Sequence, residues 1–330
     1  MSSKRVKLNP SEGGAYFAPP SSVRFFSSGC SLLDCVLGGG GYPVGRIVNI
    51  VGDKSTGKTL LAIEACANFA AAYPKGRVRY REVEAAFDPP YAERLGLPLD
   101  RVELPSDSCL TVEDLFNDLD AFVSKCGREG GLYIVDSLDA LSDKAEMEDD
   151  FGKSSYGASK AKDMSKLFRR LNQKVSEHLV TVFIISQVRD KIGVSFGRKT
   201  TRSGGRALDF YASQVLYLAH VGRLKRTVRG VERAEGVAIK ALCDKNKVGL
   251  PFRECEFPIL FAFGVDDVTA GLDWLKEVKA LDELEEDIGR PDKLDGRAYA
   301  QARRVVAKAV KKVWVELESS FVPSFRKYGE

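Results

Sequence analysis

The sequence predicts an α/β protein, a mostly parallel sheet flanked by helices, followed by a small, mainly helical C-terminal domain. Three observations predict it. Short apolar runs of strand length alternate with helix-length segments, the pattern of a sheet covered on both faces. A glycine-rich turn, Gly52 to Thr59, joins the first such strand to the first long helix. The alternation stops near Gly264, after which the chain is mainly polar and helical.

Each element has its own signal. Residues 1–28 carry Pro10, Gly13, Gly14, Pro19 and Pro20 and read as an extended N-terminal arm. Ile47 to Val51 is a short buried strand, and Leu60 to Ala72 a helix. Arg77 to Glu84 reads as the next strand, and Tyr91 to Leu95 opens a helix after Pro89 and Pro90. Leu110 to Cys126 is helical, with Thr111 as cap and Asp114 three residues on. Gly131 to Asp136 is a second buried strand, Lys160 to His178 a long helix, and Leu179 to Ser186 a third buried strand. From Asp209 to about Phe263 the pattern is strand-like, with turns expected at Gly222, Gly230 and Gly249. The domains expected are therefore the arm 1–28, a core 29–264 and a C-terminal domain 265–330.

Composition excludes several classes. With 44% apolar and 29% charged residues, the chain is neither fibrous nor wholly disordered. No apolar run approaches the ~18 residues that span a bilayer. The start, MSSKRVKLNP, lacks the apolar stretch of a secretion signal, so a cytoplasmic protein is expected. A net charge of +4 argues against a histone-like binder but leaves room for local basic patches. Seven cysteines without C-x-x-C spacing read as buried free thiols, and no cysteine or histidine metal site is readable.

Gly52, Asp53, Lys54, Ser55, Thr56, Gly57, Lys58 and Thr59 match G-x-x-x-x-G-K-[ST], the spacing of a phosphate-binding loop. The glycines let backbone N–H groups wrap an anion at a helix N-terminus. Lys58 would reach the β- and γ-phosphates and Thr59 would ligate Mg²⁺. Asp136, closing an apolar strand before Ser137, suits an acid that orients Mg²⁺ through water. Glu84, at the end of another strand, suits a carboxylate that polarises an attacking water. Together these residues point to a magnesium-dependent nucleotide hydrolase.

Beyond this loop the residues resemble the bacterial-type RecA strand-exchange recombinases, from about Ser28 to Gly264. The resemblance runs through SGCSLLD at Ser28 to Asp34, GRIV ending at Val48, and EAAFDP from Glu84 to Pro89 with Tyr91. It continues through IVDS at Ile134 to Ser137, KAE at Lys144 to Glu146, KIGV at Lys191 to Val194 and Phe196-Gly197. It closes with SGG at Ser203 to Gly205 and ALDFYAS at Ala207 to Ser213. The resemblance implies a RecA-like ATPase core using ATP and Mg²⁺, with Glu84 as catalytic base. It implies that Asp88 hydrogen-bonds the adenine, Tyr91 stacks on it, and Gln187 senses the γ-phosphate. Lys245 and Lys247 resemble the lysine pair that reaches a neighbouring subunit's γ-phosphate, a design that ties hydrolysis to filament assembly.

Two segments resemble the family's DNA-binding loops. The first, 147–157, has Gly152 and Gly157 as flexible joints and Tyr156 where the family carries an apolar wedge. The second, about 188–206, carries Arg189, Lys191, Arg198, Lys199, Arg202 and Arg206 against Asp190 alone, a local +5. Ile192, Gly193, Val194, Gly204 and Gly205 interleave with that charge, as in a flexible loop that orders on phosphate. Where the family has a basic pair, this chain has Ala219 and His220, and Asp209 stands in place of a lysine. Just beyond, Arg223, Lys225, Arg226, Arg229 and Arg233 crowd a turn-like segment, expected to hold incoming duplex or displaced strand.

The family's N-terminal docking helix has no counterpart in residues 1–28, where Phe17, Phe25 and Phe26 are candidate anchors to a neighbour. Arg297 to Leu317 reads as an amphipathic helix with Tyr299, Ala302, Val306, Val310, Val313 and Leu317 on one face. Arg297, Arg304, Lys308 and Lys311 lie on the other, either a solvated face or a landing strip for duplex. The expected function is an ATP-dependent recombinase that filaments with copies of itself on single-stranded DNA and exchanges strands with homologous double-stranded DNA. Single-strand-binding and loading proteins are the expected further partners, in the cytoplasm of a bacterial or phage-infected cell at the nucleoid. The altered arm suggests a phage-encoded member. Two other readings stand beside this one: a RecA-fold helicase or accessory ATPase, and a DNA-coating mediator without exchange activity.

Overall fold

The computed structural model describes residues 23–84, 87–107, 109, 111–142, 156–190, 200–202 and 205–323. The parallel part of its sheet is built from β3 (Ile47–Gly52), β4 (Arg77–Glu82), β5 (Val102–Glu103), β6 (Gly131–Asp136) and β7 (Val180–Asp190). The crossing helices are α2 (Lys58–Ala72), α3 (Pro89–Arg94), α4 (Val112–Ser124) and α5 (Tyr156–Glu177). A short α1 (Ser31–Val36) and the ribbon of β1 (Phe25–Phe26) and β2 (Tyr42–Pro43) precede them. After the short β8 (Thr200–Arg202) and α6 (Gly205–Tyr211), β9 (Gln214–Val228) pairs parallel to β3. β10 (Val231–Asn246), β11 (Arg253–Leu260) and β12 (Gly264–Val265) then extend the sheet antiparallel. The strand order is β12-β11-β10-β9-β3-β7-β6-β4-β5, with β8 on β7.

Alternation along the central strands explains why they read as unbroken apolar runs. Val48, Ile50, Leu132, Ile134, Phe183 and Ile185 enter one core with α1 and α2. Their sequence neighbours Ile47, Val51, Tyr133, Val135, Val182 and Ile184 enter a second core with α4 and α5. A period of two sends successive side chains to opposite faces, so helices on both sides favour apolar residues at most positions, and the buried exceptions Asn49, Thr181 and Ser186 are hydrogen-bonded. The expected capping box is present: Thr111 Oγ1 accepts from Asp114 N, and Asp114 Oδ2 accepts from Thr111 N, both at 3.1 Å.

The C-terminal helices α7 (Asp267–Glu277) and α8 (Gly296–Ser320) pack into the first core rather than beside it. Ala302, Val306, Ala309, Val310 and Val313 of α8 are buried there. Arg303 Nε donates to Asp267 Oδ2 at 2.9 Å, its Nη2 donates to the Gly29 carbonyl at 2.7 Å, and Asp267 Oδ1 accepts from Ser31 N at 2.7 Å. On α2, Glu64 Oε1 accepts from Val265 N at 2.8 Å, and burial pushes its carboxyl up to about 7.

Several expectations change. Gly222 lies inside β9, and the turn comes at Arg229 and Gly230. Glu84 stands two residues past the end of β4, while β7 runs four residues beyond Ser186. Phe26 is buried in this chain's own core against Phe69 at 5.2 Å, so it is no anchor to a neighbour. Leu317, expected on the buried face of α8, is 38% exposed. The cysteines are unpaired and, apart from the half-buried Cys126, buried; burial pushes Cys35, for one, up to about 12. Among the described residues no helix is long and apolar enough to cross a membrane.

Candidate active site

Parallel pairing gathers the predicted residues at one edge of the sheet. Gly52, the last residue of β3, is level with Gln187 of β7, and Asp136, the last of β6, is level with Glu82 of β4. The crevice beyond the carboxyl ends of such strands is where α/β sheets bind ligands. Gly52 to Thr59 turns from β3 into α2 with positive φ at Ser55 (59°) and Gly57 (82°). A side chain on Gly57 would meet Ile259 Cδ1 at 2.4 Å, and one on Gly52 would meet Thr56 Oγ1 at 2.5 Å, so the glycines keep the loop close to its walls. Thr56 Oγ1 donates to the Asp53 carbonyl at 2.9 Å, and Lys54 N donates to Asp53 Oδ1 at 2.7 Å.

One buried carboxylate forms the acidic floor. Asp136 is buried, and that burial raises its carboxyl above the usual range against the hydrogen bonds that favour its charge. Those bonds come from Tyr80 OH at 2.6 Å and Thr59 Oγ1 at 2.9 Å, both to Oδ2. Lys58 is nearly buried and its ammonium is pulled below its ordinary value by desolvation, although Asp136 and Glu84 oppose the shift. Its Nζ donates to the Asp53 carbonyl at 2.7 Å. The Thr59 hydroxyl and Asp136 carboxylate, 2.9 Å apart, are hard oxygen donors of the kind Mg²⁺ takes.

Glu84 is tied to the same edge from two sides. Its Oε1 accepts from Gln187 Nε2 at 3.0 Å and from the Ser137 hydroxyl. Gln187 N donates to Asp139 Oδ2 at 2.7 Å, which joins β7 to the turn after β6. Asp88 caps α3 by accepting from Tyr91 N at 3.2 Å, and the half-buried Tyr91 ring lies 6.0 Å from the Arg94 guanidinium carbon. Tyr80, Ser137 and Asp139 were missed by the sequence reading. Tyr80 alone carried a signal, a polar tip at an inward position of β4.

Lys245 and Lys247 are not at this edge. Asn246 pairs with Gln214, level with Val48 at the other end of β3. Each lysine's Nζ donates to the Phe210 carbonyl at 3.0 Å. Of the DNA-loop residues, Gly152, Lys191, Ile192, Gly193, Val194, Arg198, Lys199 and Gly204 lie outside the described residues. Tyr156 and Gly157 fall in the first turn of α5, so Gly157 is helical rather than a joint. Arg189 and Arg202 fall on the β7–β8 ladder, where Val188 pairs with Arg202, so the second segment is closed at its base. Gly205 and Arg206 open α6.

Comparison with known proteins agrees with this geometry. The chain is 37% identical over 245 residues to Protein RecA of Streptomyces venezuelae, covering 74% of this chain and 61% of that protein. It is 36% identical over 249 residues to Protein RecA of Streptomyces avermitilis, covering 75% and 63%. With Protein RecA of Thermosynechococcus vestitus the identity is 37% over 264 residues, covering 80% and 71%. The match thus spans less than two thirds of the Streptomyces proteins' length. A family model for the RecA N-terminal domain matches residues 18–266, and with a glycine-rich loop, Asp136 and Glu84 at one sheet edge, the chain belongs to the RecA family.

Proposed function

We propose that this protein is a DNA-dependent ATPase that forms a helical filament on single-stranded DNA and exchanges strands with homologous duplex. The observation that carries the reading is the convergence of the phosphate-binding loop, Asp136 and the Gln187–Glu84–Ser137 cluster at the carboxyl ends of adjacent parallel strands. Residues 29–264 would form the ATPase and DNA-binding core, with 265–330 as its C-terminal cap.

In this reading the backbone from Gly52 to Thr59 cradles the phosphates of ATP and Lys58 neutralises their charge. Thr59 and Asp136 would hold Mg²⁺, which when bound would supply positive charge beside the phosphates. Glu84 positions and deprotonates the attacking water, while Ser137 and Gln187 fix its carboxylate. Asp88 and Tyr91 hold the adenine. Because Gln187 bonds Glu84 and lies on β7, a change at the γ-phosphate reaches the segment after Asp190. That segment, with 147–157, is the proposed binding surface for single-stranded DNA. Lys245 and Lys247, at the far end of β3, serve the site of the adjacent protomer. A cation supplied in trans is worth roughly 10³–10⁵ in rate.

Lys58→Ala is expected to abolish DNA-stimulated ATP hydrolysis, and Glu84→Gln to trap an ATP-bound filament visible by electron microscopy on single-stranded DNA. Normal turnover in either variant would refute the site assignment. Rings in place of helical filaments with a non-hydrolysable ATP analogue would favour a helicase-like motor. Filaments that fail to exchange strands would favour a coating mediator.

A further inference from the structure

Gln187 holds Glu84 from the tip of a strand that is losing its neighbours. The ladder between β6 and β7 ends at Val135 and Ile184, whereas β7 runs on to Asp190. Backbone N–H groups alternate between the two edges of a strand. Val182 N donates to the Arg46 carbonyl on the β3 side, so Gln187, an odd number of residues on, turns its N–H towards β6. There β6 has already turned off. The Asp136 carbonyl accepts from Val83 N at 2.7 Å, and the Ser137 carbonyl from Ala140 N at 3.3 Å.

A carboxylate takes the place of the lost strand. Asp139 Oδ2 accepts from Gln187 N at 2.7 Å, a length usual for a charged acceptor. Asp139 is half-buried in the single turn Leu138–Ala140, and Leu138 and Leu141 on either side of it are buried in the second core. The same turn starts from Ser137, whose hydroxyl donates to Glu84 Oε1. That oxygen also accepts from Gln187 Nε2 at 3.0 Å. Glu84, Ser137, Asp139 and Gln187 thus close a ring in which one pinned turn supports the Glu84 carboxylate twice, directly and through the strand tip. The second support is the weaker in principle. A glutamine side chain is long and rich in rotamers, so its amide is held only as well as its backbone is.

We propose that Asp139 is a positioning residue for ATP hydrolysis, fixing the backbone of Gln187 and, through the Gln187 amide, the direction of the Glu84 carboxylate. The inference rests on the reading of this chain as an ATPase with Glu84 as its base. The role needs an acceptor oxygen rather than a charge, which separates two substitutions.

The test is steady-state ATP hydrolysis by the full chain on single-stranded DNA, with kcat and KM for ATP read separately. Asp139→Ala is expected to lower kcat by roughly 10- to 100-fold, the scale on which small misplacements act, with KM within about threefold of wild type. Asp139→Asn keeps an oxygen of the same reach, though a neutral one, and should restore kcat to within about fivefold of wild type. In a Gln187→Ala background, adding Asp139→Ala should cost less than about twofold more, because no amide is left to place. An unchanged kcat in Asp139→Ala, an Asn variant as slow as the Ala variant, a loss confined to KM, or losses that multiply in the double variant would each overturn the proposal. Hydrogen exchange at single-residue resolution serves even where a variant fails to fold. The Gln187 amide of the wild type should exchange at least about tenfold more slowly than an unbonded amide, and free exchange there would overturn the tether. A wild type without ATPase activity would sink the proposed function, while the exchange measurement would still decide whether Asp139 holds the strand tip.

Discussion

Replacing Asp118 by leucine tests how the sheet holds the strand that delivers Tyr80 and Glu84. Arg81 on β4 is only 2% exposed, and Asp118 of α4 meets it twice, Oδ1 to Nη2 at 2.9 Å and Oδ2 to Nε at 3.1 Å. Tyr133 OH also donates to Asp118. Arg79, the third cation nearby, keeps Glu103 through Nε at 2.9 Å and is not stranded. Asp118→Leu therefore takes from one buried guanidinium its two-point carboxylate partner and from one phenol its acceptor. Breaking a buried pair costs about 3–5 kcal/mol. Because Arg81 keeps the Asp107 carbonyl at 3.0 Å and the exposed Asp107 carboxylate at 3.4 Å, we expect the low end of that range, roughly 3–4 kcal/mol in all. Adding Arg81→Met removes the stranded charge and should leave only the unpaired Tyr133 hydroxyl, about 1–2 kcal/mol. Urea denaturation reads this as a midpoint lowered by over ~1 M in the single variant and by less than half as much in the double, at an m near ~3 kcal/mol/M. A single variant within about 1 kcal/mol of wild type, or a double variant as damaged as the single, would refute the reasoning.

Two further outcomes follow from buried acids. Tyr80→Phe removes a donor from Asp136 and should weaken magnesium-dependent nucleotide binding on the order of tenfold or more, measured by titration with a fluorescent ATP analogue. The loss should deepen as pH falls, because the burial that already raises the Asp136 carboxyl is then less opposed. Glu64 is raised from 4.5 to about 7, so its effect on folding is absent below about pH 4.5, turns unfavourable as pH rises through that interval, and is fully unfavourable above about 7. Glu64→Gln should thus stabilise the protein near pH 8 by about 2 kcal/mol, allowing for its partial exposure, with the gain vanishing near pH 4 in thermal melts.

The sequence reading located what depends on local pattern. Ile47 to Val51 and Gly131 to Asp136 announce buried strands because both neighbours of the sheet are apolar, and Gly52 to Thr59 announces its turn by spacing. It could not reach what depends on distant partners. Nothing in the pattern of Arg77, Arg79 and Arg81 marks one of them as buried, yet Arg81 is, because Asp118 arrives from a helix some forty residues on. The hairpin turn falls at Gly230 as expected, but the turn expected at Gly222 is absent, although glycine followed by basic residues looks like one. Only pairing with β10 reveals that the strand continues to Val228. Ser137 and Asp139 carry no periodic signal at all, and their place beside Glu84 and Gln187 comes from the alignment of strand ends.

The seat of Gly57 against Ile259 ties two halves of the molecule mechanically. Ile259 pairs with Val237, one rung from the Gly236–Leu260 rung where the β9–β10 hairpin runs on past β11. Force applied to the hairpin tip meets its first fixed support there, directly under the turn that precedes Lys58. The neighbour there is the far end of the Ile259 side chain, so the loop and the rung are in contact through a single methyl group. One wall of the glycine-rich loop is thus also the foot of the hairpin, so the two share a support although they lie far apart in sequence.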